Sequence, residues 1–445
     1  MKKLSNNYPE VNLSITLLFN FYVFIWWLEI GKRVTVFETI RIEFVIGLVL
    51  SVIGLYQYLS KPKKNLNHDK DLVGSIFIFI IILFLSLPLA ADFDVAWDAF
   101  FNKIIKYSLM CFFITQFVVS PKTLRYFSLA SFLAFFKVGQ EAMFGKITGS
   151  MVWQNQGIPR LHGAPGTMFG HPNSLSGKTL SFLPFLWFLW PLINSKWIKI
   201  LIFIQIIFTL NIILYTGSRT GYLTFIMFLL ILFYISKNKG KMAALIIIFG
   251  LVSFSFIPTH YKERFASSFS GHEAAGRSKE ARKQLFLDSL TVFVENPLGV
   301  GGYCFPVVQR KNDRRAQETH NLYTQLLAET GIQGFIAFMY LIFTLIKKIN
   351  ELRIGFRQNI DKFLLCKGAN IEKSFSDLVS EELKISRLGL AMADALYTVL
   401  LVRLVLGIFG HDLFEIYWWI ICGVTVSLTS IICISNKRIS ELTIP

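Results

Sequence analysis

The chain has 445 residues, 53% of them hydrophobic and only 16% charged, with 44 Phe and a mean hydropathy of +0.53. A soluble fold has no place for that much apolar surface, so a string of soluble domains is excluded and a polytopic helical membrane protein is indicated. The formal net charge of +17 does not point to nucleic acid, because Lys and Arg are dispersed between apolar runs, as loop charges that orient membrane helices are, and no nucleic-acid-binding motif is present.

Apolar runs predict about twelve spans, at 11–30, 43–60, 72–91, 101–119, 127–145, 174–194, 198–216, 220–236, 242–257, 331–346, 388–409 and 414–434. The first follows a polar stretch after Met1-Lys2-Lys3 and is long enough to stay as a span. Regular alternation of the kind a transmembrane β-barrel needs is absent, and no internal repeat is evident. Basic residues concentrate in alternate loops, around Lys2, Lys61–Lys64, Lys122, Lys196, Lys237–Lys241, 347–387 and Lys437. The positive-inside rule puts that set, and both termini, in the cytoplasm. Two large segments then face outward, 146–173 and 258–330. The cytoplasmic stretch 347–387 mixes apolar and basic residues and reads as interfacial helices on the inner leaflet. Among the cysteines only Cys304 falls outside, so no intrachain disulfide is expected there.

In chain order, the first candidates for chemistry are Asp92, Asp94 and Asp98 on a short outer loop, which are either a divalent-cation pair or ordinary interfacial acids. Lys137 and Glu141, four apart, can pair within a span. The outer segment 146–173 ends in Arg160-Leu161-His162-Gly163 and Gly170-His171-Pro172-Asn173. Its Gly and Pro content predicts an irregular loop in which Arg160, His162, His171 and Asn173 contact phosphate or sugar, or a re-entrant turn with no ligand. Lys178 lies just inside the next span, and Gly177-Lys178-Thr179 fails as a phosphate loop because Pro172 stands where the earlier glycine belongs.

Arg219 sits in the tight outer turn Thr216-Gly217-Ser218-Arg219, against the charge bias. It reads either as an arginine snorkelling to headgroups or as a guanidinium facing a lipid-linked phosphate. Arg277 precedes a helix predicted to run to about Val294, where an anion is favoured by the free N–H groups; Arg282 is a rival. That helix ends in a sharp turn, Asn296-Pro297-Leu298-Gly299-Val300-Gly301. His320 opens a short helix leading into the tenth span and is either a capping residue or a proton acceptor near neutral pH. Arg403 lies in the outer half of the eleventh span, and Asp394, nine residues earlier, points roughly the other way.

Ser218-Arg219 after a span, Gly276-Arg277 before the helix ending in Asn296–Gly301, and His320-Asn321 leading to Leu327-Ala328-Glu329-Thr330-Gly331-Ile332-Gln333-Gly334 together resemble the bacterial O-antigen ligase and polymerase family. Arg160, Gly163 and Pro172-Asn173 look like that family's preceding outer loop. The resemblance covers roughly 155–345. It implies a GT-C-like glycosyltransferase fold in the bacterial inner membrane, with the active site periplasmic. It implies a glycan donor on undecaprenyl diphosphate, and as acceptor the lipid A core or a second lipid-linked glycan. It places a catalytic histidine at His320 and diphosphate-binding arginines at Arg219 and Arg277, with neither metal nor other cofactor, so that a single displacement inverts the anomeric centre. Arg160, His171, Asn173, Lys178 and Arg403 are the further candidates for substrate contact. A repeat-unit polymerase is the alternative within the family. A flippase or transporter using Lys137, Glu141, Asp394 and Arg403 as a charged path is the alternative outside it.

Overall fold

The computed structural model describes residues 8–60, 70–155, 157–263, 278–366, 373–410 and 413–442. Sixteen helices and one hairpin follow in chain order among them: α1 Leu13–Leu28, α2 Thr35–Ile40, α3 Ile42–Ser60, α4 Lys70–Leu85, α5 Phe93–Ala99, α6 Lys106–Phe117, α7 Pro121–Thr148, the strands β1 Val152–Asn155 and β2 Ile158–Leu161, α8 Pro172–Leu189, α9 Lys196–Tyr215, α10 Arg219–Ile235, α11 Lys239–Phe256, α12 Ser278–Glu295, α13 Phe305–Lys311, α14 Leu322–Cys366, α15 Lys373–Gly407 and α16 Tyr417–Leu442. A π-helical turn, Phe100–Ile105, joins α5 to α6.

Every stretch expected to span is helical, and the chain is an all-α polytopic membrane protein. The count of twelve spans is not carried over. Among the described residues six helices are long and apolar enough to cross a bilayer: Ile42–Ser60, Lys70–Leu89, Lys196–Tyr215, Leu322–Leu364, Asp377–Gly407 and Tyr417–Ser440. Others, such as Leu13–Leu28 and Arg219–Ile235, are apolar but shorter. Helices α8, α14, α15 and α16 form the middle of the bundle, whereas α3 and α9 turn side chains such as Phe44, Val52, Leu59, Ile200 and Phe203 outward. Apolar outward faces are what a hydrocarbon solvent requires.

Hydrogen bonds fasten both ends of the long helices α14, α15 and α16 to other parts of the chain. At one end the Tyr8 hydroxyl and Ser435 donate to Glu382, 3.4 and 2.9 Å away, and Arg438 pairs with the same carboxylate. Residues 347–366 and 373–387 continue α14 and α15, and Phe363, Val379, Leu383 and Ile439 form a small core between them and α16. At the other end the Ala91 N–H donates to Val300 (2.7 Å), Tyr261 to Pro159 (2.7 Å), Arg160 to Thr216 (2.7 Å) and the Asn321 amide to Ile408 (2.9 Å). This end holds the residues of interest.

The segment 146–173 is more regular than its composition suggests. Residues 152–161 form an antiparallel hairpin with Trp153 opposite Arg160, because Val152-Trp153 and Ile158 supply strand-forming side chains. Between β2 and α8, residues 162–171 are irregular.

Helix α14 is broken at Gly331, where φ is 68° and ψ −174°. The turn after α12 crosses this break backbone to backbone. Val300 and Gly301 donate to the carbonyls of Ala328 and Glu329 (3.0 and 2.9 Å), and Ile332 donates to Pro297 (3.0 Å). The carbonyls and N–H groups freed by the break are thereby satisfied. A Cβ on Gly331 would lie 2.3 Å from the carbonyl carbon of Leu298, and one on Gly299 would lie 2.5 Å from the Gly331 nitrogen. Gly331→Ala is therefore expected to cost ~2–3 kcal/mol or more, read as a lower melting temperature in detergent and less folded protein in the membrane. Unchanged melting would contradict this crossing.

Candidate active site

Arg219 is the first residue of α10, with Ser218 as N-cap: its hydroxyl accepts from Gly221 N–H at 3.1 Å. The preceding turn is fixed from outside the bundle. Gly217 has φ 57°, and a Cβ there would lie 2.8 Å from Ile158 Cδ1 of β2. Tyr261 donates to both Pro159 and Tyr215 carbonyls (2.7 and 3.2 Å), and burial raises its phenol to about 12. Arg160, only 1% exposed, donates through Nε to Thr216 O (2.7 Å), through Nη1 to Asn155 (3.1 Å) and through Nη2 to Asn173 (2.6 Å). One arginine thus ties the hairpin, the start of α8 and the Arg219 turn together. A planar fork with several fixed donors suits such a junction.

His320 has φ 53°, a left-handed conformation uncommon outside glycine. The capping reading of this residue is not what the local structure uses. Asn321 is the cap of α14: its Oδ1 accepts from Tyr323 and Thr324 N–H at 2.9 and 3.1 Å, while its amide donates to Ile408. Tyr323 donates to Leu404 O at 3.0 Å. The His320 turn is thus fastened to the end of α15, one turn beyond Arg403.

Arg403, 2% exposed, stacks its guanidinium 4.3 Å from the Tyr417 ring centroid. Lys178, 4% exposed, pairs with Glu415 and lies 5.8 Å from the same ring; the Tyr417 hydroxyl donates to Lys178 O at 3.1 Å. Burial raises the Glu415 carboxyl, but Lys178 and Arg403 outweigh that and hold it at about 2. His171 is the N-cap of α8 and accepts from Asn173 N–H at 3.2 Å.

Close approaches and chain neighbours connect the segments that carry the candidates. A Cβ on Gly221, beside Arg219, would meet Ser176 Oγ at 2.2 Å, and one on Gly177 would lie 4.0 Å from Arg403 Nη1. Arg403 adjoins Leu404, which holds Tyr323 and so the His320 turn. Arg277, the second candidate for the diphosphate, lies outside the described residues, as does the turn before α12; Arg282 is on α12 itself, half-buried.

Some candidates are accounted for by structure alone. Asp92 caps α5, accepting from Val95 N–H at 3.2 Å, and Asp98 accepts from Asn102 at 2.6 Å. Among the described residues no group of three His, Cys, Asp or Glu is arranged to hold a metal. Glu141 pairs with Lys137 as expected (3.6 Å) and more closely with Arg33 (2.6 Å). Asp394 pairs with Arg353 (2.6 Å) and Arg357 (3.6 Å) of α14, on the side of α15 away from Arg403. Each of these charges has an ionic partner within the bundle.

Sequence reasoning missed three residues here. Glu415 was hidden because its partner is 237 positions away; a lone acid between Phe414 and Ile416 was the available signal. Lys103 shares a cavity with Lys178. Glu318, two residues before His320, is held by burial at about 7, so both its protonation states are present near neutral pH.

Fold and site together define a multi-pass helical membrane protein with a cluster of cationic groups and one histidine turn at the same end of its bundle. The family described as O-antigen ligase matches residues 204–339, a stretch that runs from α9 through Arg219 and His320 to the start of the long part of α14. Over that stretch the chain is similar to the O-antigen ligase family, which supports an enzyme of ligase or polymerase type acting on lipid-linked glycans. No curated protein matches the chain.

Proposed function

We propose that the chain is an O-antigen ligase-like glycosyltransferase of the bacterial inner membrane. It moves a glycan from undecaprenyl diphosphate to a hydroxyl of the lipid A core at the periplasmic face. The observation that supports this reading is that the Arg219 turn packs on α8, α8 lies against Arg403 of α15, and the helix that His320 opens is bonded to α15 at Leu404, within and beside the matched stretch. The reaction breaks the bond between an anomeric carbon and a diphosphate oxygen. His320 accepts the proton of the attacking hydroxyl. Arg219, with Arg277 as its partner, stabilises the charge that grows on the departing diphosphate. Attack opposite the leaving group inverts the anomeric centre. The donor's lipid diphosphate supplies the driving force, so the step needs neither nucleotide nor metal.

Arg160 and Asn173 are positioning residues for the Arg219 turn, since Arg160 spends three donor directions on the protein itself. His171, Lys178 and Arg403 face substrate. A repeat-unit polymerase would use the same groups with a second lipid-linked glycan as acceptor, and the matched family embraces both activities. Expression in cells lacking a ligase and in cells lacking a polymerase separates them. The ligase reading expects glycan-capped lipopolysaccharide to return in the first and no change of chain length in the second. Restored chain length alone would turn the assignment to polymerase.

A further inference from the structure

Residues 314–319 connect α13 to the His320 turn without helix or strand. A left-handed residue stands at each end of this strap, Asp313 with φ 52° and His320 with φ 53°, a conformation in which a chain reverses at some cost. Each end is also tied down. Arg314 pairs with Asp288 of α12, a carboxylate only 4% exposed that also accepts from Gln284 at 2.7 Å, and the Arg314 N–H donates to Gln309 O at 2.9 Å. At the far end Asn321 bonds to Ile408 at 2.9 Å, and the buried Thr319 hydroxyl donates to Asn321 O at 3.1 Å.

Between the two ties sits Glu318. Its Oε2 is buried and has no hydrogen-bond partner among the described residues. The carboxyl it faces is Glu329 of α14, fully buried, to which the Gln325 amide donates at 3.1 Å. Tyr303, from the turn before α13, is a further titratable group near both. Burial, then Glu415, Glu318 and Glu329, raise its phenol, so it stays neutral. Neither Glu318 nor Glu329 has an ion-pair partner among the described residues. Two carboxyls so placed do not both ionise cheaply, and a buried carboxylate without a partner is far costlier than the neutral acid.

We propose that Glu318 is a positioning residue for His320: its neutral carboxyl keeps the strap packed against α14, and ionisation releases the strap and the His320 turn with it. The consequence for glycan transfer rests on His320 being the base; the latch itself does not. Its pH dependence follows from burial, which holds the Glu318 carboxyl at about 7 instead of 4.5. The proton is bound more tightly in the packed strap than in a released one. Packing is therefore fully favoured below about pH 4.5 and weakens as pH rises to about 7, above which the packed form is ionised too and the loss levels off.

The test is amide hydrogen exchange of the strap in the purified full-length protein without substrate. Wild type and Glu318→Gln are compared at each pH, so that intrinsic exchange rates cancel; Gln keeps the size and neutrality of the protonated acid. The ratio of exchange, wild type over Glu318→Gln, in residues 315–322 is expected to rise about tenfold or more between pH 5 and pH 7 and then to level, while α8 keeps a ratio near one. A strap ratio that stays level from pH 5 to pH 8 overturns the proposal. Wild type alone gives a second reading that needs no folded variant: protection of the strap relative to α8 must fall over the same range, and constant protection overturns the latch. In a transfer assay, kcat of Glu318→Gln relative to wild type is expected to rise over that range as well. A level kcat ratio beside a rising exchange ratio overturns the positioning role. Absence of transfer by both proteins would instead count against the transferase reading, and the exchange result would stand apart from it.

Discussion

Replacing His320 by Ala is expected to reduce glycan transfer by roughly 10²–10⁴-fold, the usual contribution of a positioned general base, with protein abundance and melting temperature little changed. The structural argument for a small effect on stability is local. The cap of α14 is Asn321, through its bonds from Tyr323 and Thr324, and the anchor to α15 is again Asn321, on Ile408, with Tyr323 on Leu404. None of these bonds uses the imidazole. Alanine is somewhat less favoured than histidine at a left-handed φ, so only a small backbone cost accompanies the change. Asn321→Ala gives the contrasting result: it removes a cap worth about 1 kcal/mol and an anchor, so activity and melting temperature fall together. Measuring transfer per folded molecule for both variants separates a chemical role from a scaffolding one. Normal transfer by His320→Ala would remove the histidine from the mechanism.

Arg219→Ala is expected to lower the rate of transfer by roughly 10²–10³-fold, the scale for losing one preorganised stabiliser of developing charge. Arg219→Lys should recover only part of it, because an ammonium lacks the planar fork that meets two phosphate oxygens. The turn is held by Gly217, by the Ser218 cap and by Arg160 on Thr216, none of which depends on the Arg219 head group. The measurement is the split between kcat and KM for the donor. A stabiliser of the leaving group lowers kcat. An arginine that only snorkels to headgroups would leave both unchanged.

Much of the fold was legible because membrane solvent simplifies it. Apolar runs must be helices, and the stretches expected to span are for the most part helical. Local pairs were legible too: Lys137 and Glu141 are one helical turn apart and do pair, and the nine-residue offset put Asp394 and Arg403 on opposite sides of α15. What stayed hidden depends on distant partners. Nothing near Glu141 announces Arg33, and nothing near Glu415 announces Lys178. The break at Gly331 was hidden for another reason. A glycine inside an apolar helix is ordinarily tolerated, and only the backbone of Leu298 crossing it makes the residue obligatory. The hairpin at 152–161 was masked by the glycines and prolines on either side of it. Of the site, the individual residue types were readable but the packing of the segments that carry them was not, since it runs through Ser176, Leu404 and Tyr323, which carry no chemistry of their own.

The most direct measurement uses the purified protein in vesicles, supplied with an undecaprenyl-diphosphate-linked glycan and a lipid A core acceptor, without nucleotide and with chelator present. Free undecaprenyl diphosphate and glycosylated acceptor are expected to appear in equal amounts, and neither above background with His320→Ala. Equal turnover by the two proteins, or release of the lipid diphosphate with no glycan joined to an acceptor, would contradict the account.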